Sequence, residues 1–388
     1  KVAALALVGI GGAILLNAAL LPFSRADALG IYHPQAAEIT ETRALLPLTG
    51  ADSLYRTYAP LMPLLYGYTY LLSGWENEYL ARAAGTLLSL GCLPAAYCLG
   101  RMIGGDRAGW LSALVLALAP TFGRWASAGY VDLPVAFFIT LSAVFALRLW
   151  QSGHSMDALL AGALMGLAAW TKNAALLTIP LLAAWLFWAL LRRRIGARAV
   201  IFSLAACGLV AAPWYARNWI GAGFLVPDTA WTDTARRTLD AALLFVTKPD
   251  IYGLSGWVIL IALAVLLVRI LRRSDMSPGE ALALLWALPF FVAWWLLASY
   301  DPRLLLPVVP LLAGVGGVGL SRLWGWTPSV WQARLMLPAG AALVLLAGQV
   351  MWNSVEFKDE LLRDPFMDDA ARHAVVRQNR PAASGDGE

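Results

Sequence analysis

Charged residues interrupt long apolar stretches at five places where they could hold or activate an anionic substrate. Two are carboxylates: Asp27 follows the first apolar stretch in RADALGIYHPQ, and Asp132 opens a later one in YVDLPVAF. The other three are cations, which are Lys172 in AAWTKNAAL, Arg217 in PWYARNW and Arg303 in SYDPRLLLP. A carboxylate can serve as a general base. Lys and Arg can neutralise a departing phosphate.

Each of these residues also has a structural explanation. Asp27 can be a solvated loop residue, and Asp132 can cap a helix whose positive end favours an anion. Lys172 can extend to the membrane surface along its aliphatic stem. Arg217 and Arg303 can be arginines that border a span, although a guanidinium group also binds phosphate oxygens in pairs. The residue types alone leave both explanations open.

The elements that must position these residues are membrane helices. The chain has 388 residues, of which 60% are hydrophobic and 14% charged, and its mean hydropathy is +0.66. A helix needs roughly 20 mainly apolar residues to cross a bilayer. The sequence therefore predicts an all-α, polytopic membrane protein with about eleven transmembrane helices and with interfacial helices in the first outer loop. They are expected near 2–22, 79–102, 107–122, 132–150, 156–170, 173–191, 198–216, 252–271, 279–298, 303–321 and 333–351.

Two outer loops, about 23–57 and 217–251, are the longest polar segments between spans, and function is expected there. The short apolar segment 58–73 carries Pro60 and Pro63, which favours a helix at the membrane interface over a further span. The predicted organisation is a transmembrane catalytic module, 1–351, and a short extracytoplasmic tail, 352–388, with a disordered end.

Basic residues in the short connections indicate the orientation. If the N-terminus is cytoplasmic, the inner connections carry Arg101, Arg107, Arg148, Arg192, Arg193, Arg194, Arg198, Arg269, Arg272, Arg273, Arg322 and Arg334. The positive-inside rule predicts this arrangement. The protein is therefore expected in the cell membrane as a multi-pass protein, with its site facing the periplasm or the exterior.

Several classes of function are not indicated. The cysteines (Cys92, Cys98, Cys207) lie in apolar runs, and the histidines (His33, His154, His373) are far apart. Neither set has metal-ligand spacing, so no metal or other cofactor is expected. The net charge of +5 is spread over loop arginines, which argues against a nucleic-acid partner.

Read as a series, the motifs resemble the polyprenol-dependent glycosyltransferases of the GT-C fold, a family-39-like branch that includes protein O-mannosyltransferases and aminoarabinose transferases. The resemblance runs from about residue 10 to 320. It includes the acid Asp27, TYAPLMPLLYGYTYLLSG, ENEYLARAAGTLLSLG, LGRMIGGDRAGWLSALVLALAP, the YVDLP acid, Lys172, PWYARN and PRLLLPVVP.

The resemblance implies an enzyme that moves a sugar from a polyprenyl-phosphate carrier to a lipid, glycan or protein acceptor, with inversion at the anomeric carbon. It places Asp27 as the general base, with Asp132 orienting the acceptor or the Asp27 loop. His33 is an alternative base or a hydrogen-bond partner, because histidine is the residue type whose charge ordinarily changes near neutral pH. The expected phosphate and substrate contacts are Arg82, Lys172, Arg217, Asn218, Arg303 and Tyr58.

The sequence departs from the branch after Asp27, where Ala28 stands in place of the second acid that members often carry, and Tyr32 and His33 follow. After the last predicted span the sequence continues for about 35 residues, where some relatives carry a large soluble domain. Two other functions therefore stay open. One is a protein that binds or flips a polyprenyl lipid, and the other is an inactive accessory subunit of the same fold.

Overall fold

The computed structural model describes residues 1–45, 47–48, 55–226, 233–272 and 275–379, and these are helices joined by turns. The helices are, in chain order, α1 (Val2–Leu20), α2 (His33–Thr42), α3 (Leu61–Ser73), α4 (Glu78–Leu90), α5 (Cys92–Ala117), α6 (Pro120–Ala126), α7 (Asp132–Ser152), α8 (Ser155–Thr171), α9 (Thr178–Leu191), α10 (Ala197–Ala222), α11 (Leu239–Ala242), α12 (Leu244–Thr247), α13 (Pro249–Leu271), α14 (Pro278–Leu297), α15 (Val309–Trp326), α16 (Ser329–Ser354), α17 (Lys358–Arg363) and α18 (Asp369–Gln378).

The prediction of an all-α polytopic membrane protein is confirmed. Within the described residues, nine helical segments are long and apolar enough to cross a bilayer. Helix α8, with 17 residues, is shorter than these nine. The predicted count of eleven therefore stays a prediction.

One apolar segment of 40 residues, Glu78–Ala117, contains a reversal of chain direction at Gly105. This residue has φ of 82°, a value that glycine adopts without steric cost. A Cβ at Gly100 would lie 2.1 Å from Ser112 Oγ, and one at Gly109 would lie 2.9 Å from the Tyr97 carbonyl oxygen. Residues twelve apart in a continuous helix are about 18 Å apart. The two parts of α5 are therefore antiparallel, which agrees with the separate spans predicted at 79–102 and 107–122.

Small residues set the closest helix contacts in the bundle. A Cβ added at Gly317 of α15 would meet Ser112 of α5 at 2.3 Å, and one at Gly319 would meet Ala262 of α13 at 2.4 Å. Close approach through glycine is common in membrane proteins, where van der Waals packing replaces the hydrophobic effect between helices. The segment Pro302–Trp326, which contains α15, is accordingly the most deeply buried of the nine candidate spans in the described residues, with 83% of its apolar window inside the protein.

Proline changes the geometry of two predicted spans. The segment predicted as 107–122 ends at Ala117, and Pro120 begins the separate helix α6. The segment predicted from 303 begins as a 3₁₀ helix, Pro302–Val308, which contains Pro307. Proline lacks the amide hydrogen that an α-helix interior requires, so it is found where a helix begins or changes type.

The first outer loop contains helices, as predicted. Residues Ala28–Tyr32 form a π-helical turn that continues into α2, and Tyr55–Thr57 form a 3₁₀ turn before α3. The predicted helix at 58–73 is observed as α3. Parts of both outer loops, 49–54 and 227–232, lie outside the described residues.

The C-terminal tail forms α17 and α18 and packs on the N-terminal part of the chain. Arg372 donates to the Leu20 carbonyl oxygen at 2.7 Å, and Tyr79 donates to Asp369 at 2.6 Å. His373 contacts Glu78 at 3.2 Å. Residues 355–379 therefore sit where α1 ends and α4 begins. The predicted disordered end, from 380 onward, lies outside the described residues.

Several helix ends meet on one side of the bundle. Helices α1 and α8 end there, and α4 and α7 begin there together with the 3₁₀ helix that leads into α15. We call this side the site end. Asp27, Asp132, Lys172 and Arg303 all lie at it.

Candidate active site

Asp27 lies at the start of the π-helical turn that follows α1. Its backbone N–H donates to the Tyr130 hydroxyl at 2.9 Å, which joins this loop to the turn before α7. Gly129 makes the contact sterically possible, since it has φ of 75° and its Cβ would lie 2.5 Å from the Phe23 ring. The Asp27 loop is thus fixed by a neighbour about a hundred residues away in sequence.

Asp132 and Lys172 form an ion pair across the site. Asp132 occupies the first turn of α7, where the helix dipole favours a carboxylate. Asp132 is only 2% exposed. Lys172 follows the last residue of α8 in an extended conformation and donates from Nζ to Asp132 Oδ1. The Tyr215 hydroxyl donates to the Ala169 carbonyl oxygen at 2.8 Å and lies 3.1 Å from Asn173 Oδ1, so it contacts residues on both sides of Lys172.

Arg303 is positioned by the turn that begins α15. Asp301 Oδ1 accepts the Arg303 backbone N–H at 2.8 Å and caps the 3₁₀ helix, with Pro302 at its first position. The carbonyl oxygen of Asp301 accepts from the indole of Trp294 in α14 at 3.0 Å. The turn that carries Arg303 is thus held by hydrogen bonds to both the side chain and the backbone of Asp301.

The Arg303 guanidinium group is the centre of a carboxylate cluster. It donates to Asp27 Oδ2 at 2.9 Å, and its Nε lies 3.2 Å from Asp301 and 3.6 Å from Asp132. The group also lies 4.5 Å from the centre of the Tyr130 ring, a cation–π contact. Nε is buried and makes no hydrogen bond within the described residues.

These groups border a cavity of about 430 Å³. Its lining includes Asp27, Lys172 and Arg303 together with the tyrosines Tyr32, Tyr55, Tyr58 and Tyr300. The Asp27 side chain is 34% exposed. Its Oδ2 is held by Arg303, whereas Oδ1 accepts no hydrogen bond from any described residue. One carboxylate oxygen is therefore available to a ligand in the cavity.

Three tyrosines of the cavity, Tyr32, Tyr58 and Tyr300, stay protonated at neutral pH. Burial, with the nearby Tyr55 and Asp27, raises the pKa of Tyr58 to about 12. Burial and the negative charges of Asp27 and Asp132 raise the pKa of Tyr32 well above its ordinary value. Burial and Asp301 raise the pKa of Tyr300 in the same direction. These hydroxyl groups can therefore donate hydrogen bonds to an anion.

An apolar groove of about 270 Å³ lies next to this cavity, between α9 and α10. It is lined by Leu176, Ile179, Leu204, Cys207, Gly208, Ala211, Ala212, Tyr215 and Leu225. The cavity is lined by Ala174 and Val226, which are two residues and one residue away from the groove's Leu176 and Leu225. The cavity with its charged residues and the apolar groove are thus adjacent.

Arg82 lies outside the cavity, in contrast to its predicted role as a phosphate contact. The side chain is 0% exposed and donates to carbonyl oxygens of Leu21, Pro22 and Ser127 at 3.1, 2.7 and 2.5 Å. It also pairs with Glu356 at 2.6 Å. The last carbonyl groups of a helix have no hydrogen-bond donor within the helix. Arg82 therefore supplies donors at the end of α1, and its ion pair with Glu356 connects that end to the tail.

Arg217 and Asn218 lie beside the cavity rather than in its lining. Arg217 contacts the Arg56 carbonyl oxygen at 3.4 Å and the Trp214 ring at 4.4 Å. Asn218 is 0% exposed and donates to the Thr57 carbonyl oxygen at 2.9 Å. Both residues therefore fix the 3₁₀ turn that carries the cavity residue Tyr58.

The polar contacts of His33 are with Tyr70 and Glu76 rather than with Asp27. Its Nδ1 is 2.8 Å from the Tyr70 hydroxyl, and its Nε2 is 3.9 Å from Glu76. His33 is absent from the lining of the cavity. The structure thus brings together Asp27, Asp132, Lys172, Arg303 and Tyr58, and leaves His33, Arg82, Arg217 and Asn218 around them.

Among the described residues, no group of three or more His, Cys, Asp or Glu side chains is arranged to hold a metal ion. Asp27, Asp132 and Asp301 converge, but on the Arg303 guanidinium group. The expectation that no cofactor is needed stays a prediction.

Sequence reasoning missed two supporting residues. Tyr130 precedes the YVDLP acid by two positions and binds the Asp27 backbone. Glu356, an isolated acid after the last span, accepts from Arg82 at 2.6 Å, Arg25 at 2.7 Å and Ser24 at 2.8 Å. The only signal for Tyr130 was its proximity to Asp132, and no sequence pattern marks Glu356.

The geometry can be compared with known proteins. Residues 57–216 match the family of dolichyl-phosphate-mannose-protein mannosyltransferases. A search of curated proteins gives no match.

Solved membrane glycosyltransferases share the fold. ArnT from Cupriavidus metallidurans in its apo state is 20% identical, with a TM-score of 0.66 over 86% of this chain and 62% of ArnT. The structure of the same protein bound to undecaprenyl phosphate gives the same identity and TM-score, with coverages of 97% and 72%. The oligosaccharyltransferase AglB from Archaeoglobus fulgidus, in complex with an inhibitory peptide and a dolichol-phosphate, is 14% identical, with a TM-score of 0.60 over 98% of this chain and 59% of AglB.

The chain therefore has the GT-C fold of these membrane glycosyltransferases, and the resemblance expected from its motifs is confirmed. It spans 62% of the length of apo ArnT and 59% of AglB.

Proposed function

We propose that this protein is a glycosyltransferase that moves a sugar from a polyprenyl-phosphate carrier to an acceptor hydroxyl group. The observation that carries the proposal is the shared cavity, where a carboxylate with one unoccupied oxygen faces Lys172 and Arg303. A phosphate leaving group requires cations, and an attacking hydroxyl requires a base. Two similar structures contain polyprenyl phosphates, ArnT with undecaprenyl phosphate and AglB with a dolichol-phosphate, which supports the same class of donor.

The adjoining surfaces suit both parts of such a donor. The groove between α9 and α10 offers apolar side chains to an isoprenoid chain. Its neighbouring cavity offers Lys172, Arg303 and protonated tyrosines to the phosphate and sugar. A lipid whose tail lies in the groove would place its phosphate near Asn173 and Lys172, where the two spaces adjoin.

The proposed reaction uses the side chains of Asp27, Lys172 and Arg303. The acceptor hydroxyl gives its proton to Asp27 Oδ1 as its oxygen bonds to the anomeric carbon. The bond from that carbon to the phosphate oxygen breaks, and the phosphate leaves with the electron pair. Lys172 and Arg303 stabilise the added negative charge. A single displacement of this kind inverts the anomeric carbon.

The ion pairs of the ligand-free protein favour donor binding before proton transfer to Asp27. In the ligand-free protein Arg303 holds Asp27, and Lys172 holds Asp132. A donor phosphate competes with both carboxylates for the same cations. Donor binding therefore weakens the hold of Arg303 on Asp27 and prepares the base, while buried Asp132 keeps Lys172 at the cavity.

We further propose that the site end faces the periplasm or the exterior and that the N-terminus is cytoplasmic. The opposite ends of the spans carry the arginine-rich turn Arg192–Arg194 and Arg198. At the site end, Arg25 and Arg82 are paired with Glu356, and Arg56 is paired with Glu38, so much of the positive charge there is neutralised. The positive-inside rule then favours this orientation.

A transfer assay tests the proposal. Purified protein in liposomes is incubated with radiolabelled undecaprenyl-phosphate sugars and solubilised membranes of the source organism as the acceptor pool. The expected result is loss of label from the donor and its appearance in a new product, which Asp27→Asn abolishes and Asp106→Asn preserves. Donor binding without transfer in any arm would instead favour a lipid-binding or accessory protein.

A further inference from the structure

A second pair of connected spaces lies at the site end, away from the donor cavity. A polar cavity of about 280 Å³ and an apolar groove of about 200 Å³ share the lining residues Asn353 and Ser354. Neither space shares a lining residue with the cavity that contains Asp27. The proposed donor site uses neither of them.

The apolar groove lies between α13 and α16, beside α6. Its walls include Leu254 of α13, Leu346 and Val350 of α16, Leu118 after α5 and Pro120 of α6. Helices α13 and α16 are both candidate spans, and only 11% of the apolar window of α16 is buried in the protein. The groove therefore opens on the side of a helix that faces lipid, and its walls suit an acyl chain.

The polar cavity contains more positive than negative charge. It is lined by Arg25, Arg124 and Glu356. Glu356 pairs with Arg25 at 2.7 Å and also with the buried Arg82 at 2.6 Å, so one carboxylate is shared by two guanidinium groups. Arg124 is exposed and makes no hydrogen bond or ion pair with any described residue, and Arg25 Nε is buried without a hydrogen bond. Guanidinium N–H groups that no described residue accepts are therefore present where the polar cavity meets the apolar groove.

One aromatic side chain connects this second site with the donor cavity. The Trp125 ring lies 5.5 Å from the Arg25 guanidinium carbon and 5.1 Å from that of Arg303. It also stacks on Tyr130 with ring centres 5.1 Å apart. The two cavities are thus neighbours with separate cations.

We propose that this groove and cavity form a second lipid-binding site, which takes a lipid with an anionic phosphate headgroup. Charge complementarity identifies the headgroup, because an exposed, unpaired Arg124 and the partly paired Arg25 are suited to phosphate oxygens. The apolar groove identifies the ligand as a lipid rather than free phosphate. The site holds such a lipid next to the Asp27 loop, at the same time as a donor occupies the other cavity.

Native mass spectrometry of the full chain in detergent tests the proposal with phosphatidylglycerol as the probe and phosphatidylcholine of the same acyl chains for comparison. The wild-type protein is expected to bind phosphatidylglycerol more tightly by about tenfold, because both lipids carry the same phosphodiester but the choline cation of phosphatidylcholine is repelled by Arg25 and Arg124. Arg124→Gln should remove this preference, Arg124→Lys should retain most of it, and the control Arg334→Gln should leave it unchanged.

A substitution in the groove tests the acyl-chain part independently. Gln349 lines the groove on α16, whereas Leu345 is exposed on the same helix and does not line it. Gln349→Trp should weaken binding of phosphatidylglycerol, and Leu345→Trp should not. Both variants are checked by size-exclusion chromatography and thermal unfolding.

Competition with undecaprenyl phosphate separates this site from the donor site. Phosphatidylglycerol should stay bound when undecaprenyl phosphate is added, and Arg124→Gln should keep undecaprenyl phosphate binding while Lys172→Gln weakens it. Equal phosphatidylglycerol binding by Arg124→Gln and Arg334→Gln would overturn the proposal, as would its one-for-one displacement by undecaprenyl phosphate. If only undecaprenyl phosphate fails to bind, the donor proposal fails and the second site stands.

Discussion

Asp27→Asn should separate catalysis from donor binding. The substitution removes the oxygen that receives the acceptor proton but keeps nearly the same shape. Loss of a positioned general base typically lowers the rate by about 10²- to 10⁴-fold. The transfer rate should fall by that amount, measured at saturating donor.

Donor affinity should change in the opposite direction. A phosphate bound to Arg303 lies about 5 Å from the Asp27 carboxylate, and two unit charges at that distance interact by about 3 kcal/mol at an effective dielectric constant of about 20. Because the Asp27 side chain is 34% exposed, solvent screening reduces this repulsion to on the order of 1 kcal/mol. Undecaprenyl phosphate should therefore bind Asp27→Asn about fivefold more tightly.

Folding should change little, since Arg303 keeps Asp132 and Asp301 as neighbours. Loss of one partly exposed ion pair costs about 1 kcal/mol or less. Asp106→Asn is the matched control, because Asp106 forms an exposed pair with Arg101 near the reversal in α5. Transfer by Asp27→Asn within tenfold of the wild-type rate, or a weaker affinity for undecaprenyl phosphate, would refute this reasoning.

Three other perturbations have distinct expected outcomes. Lys172→Gln should weaken undecaprenyl phosphate binding by about tenfold, the loss of one charge-assisted contact, whereas Lys172→Arg should retain most of the affinity. Equal affinities of the two variants would contradict the proposed contact between Lys172 and the phosphate. Glu356→Gln leaves a buried arginine without its carboxylate and should destabilise the fold by about 3–5 kcal/mol, seen as a lower midpoint of thermal unfolding; an unchanged midpoint would exclude a structural role for the tail. Burial alone would lower the pKa of His373, but hydrogen bonds to Asp369 and Glu78 outweigh it and raise the pKa. The contribution of His373 to tail docking should therefore be fully present below the ordinary histidine pKa and be lost as the pH rises through the raised value. Amide protection factors in 369–378, which correct for the intrinsic rise of exchange rates with pH, should fall from pH 6 to pH 8 in the wild type but much less in His373→Gln.

The sequence allowed the membrane helices to be predicted because hydropathy is a local property. The span predicted at 132–150 is observed as Asp132–Ser152, and the one predicted at 156–170 is observed as Ser155–Thr171. Where the chain changes helix type, as in the 3₁₀ helices Asn173–Leu177 and Pro302–Val308, hydropathy alone gave no signal. These irregular turns position Lys172 and Arg303.

The site could be predicted only in part, because charge partners come from distant parts of the chain. Asp27, Asp132, Lys172 and Arg303 stood out as ionisable groups beside apolar stretches, and they converge. Arg82 had the same local appearance, yet its carboxylate partner is 274 residues away and makes it a structural residue. Which cations face a ligand and which hold the fold depends on tertiary contacts.

A structure of the protein with undecaprenyl phosphate tests the central claim most directly. The account predicts the phosphate within hydrogen-bond distance of Lys172 and Arg303, the isoprenoid chain between α9 and α10, and Asp27 moved away from Arg303. A phosphate bound beside Arg25 and Arg124 instead, with the pair between Asp27 and Arg303 intact, would contradict it.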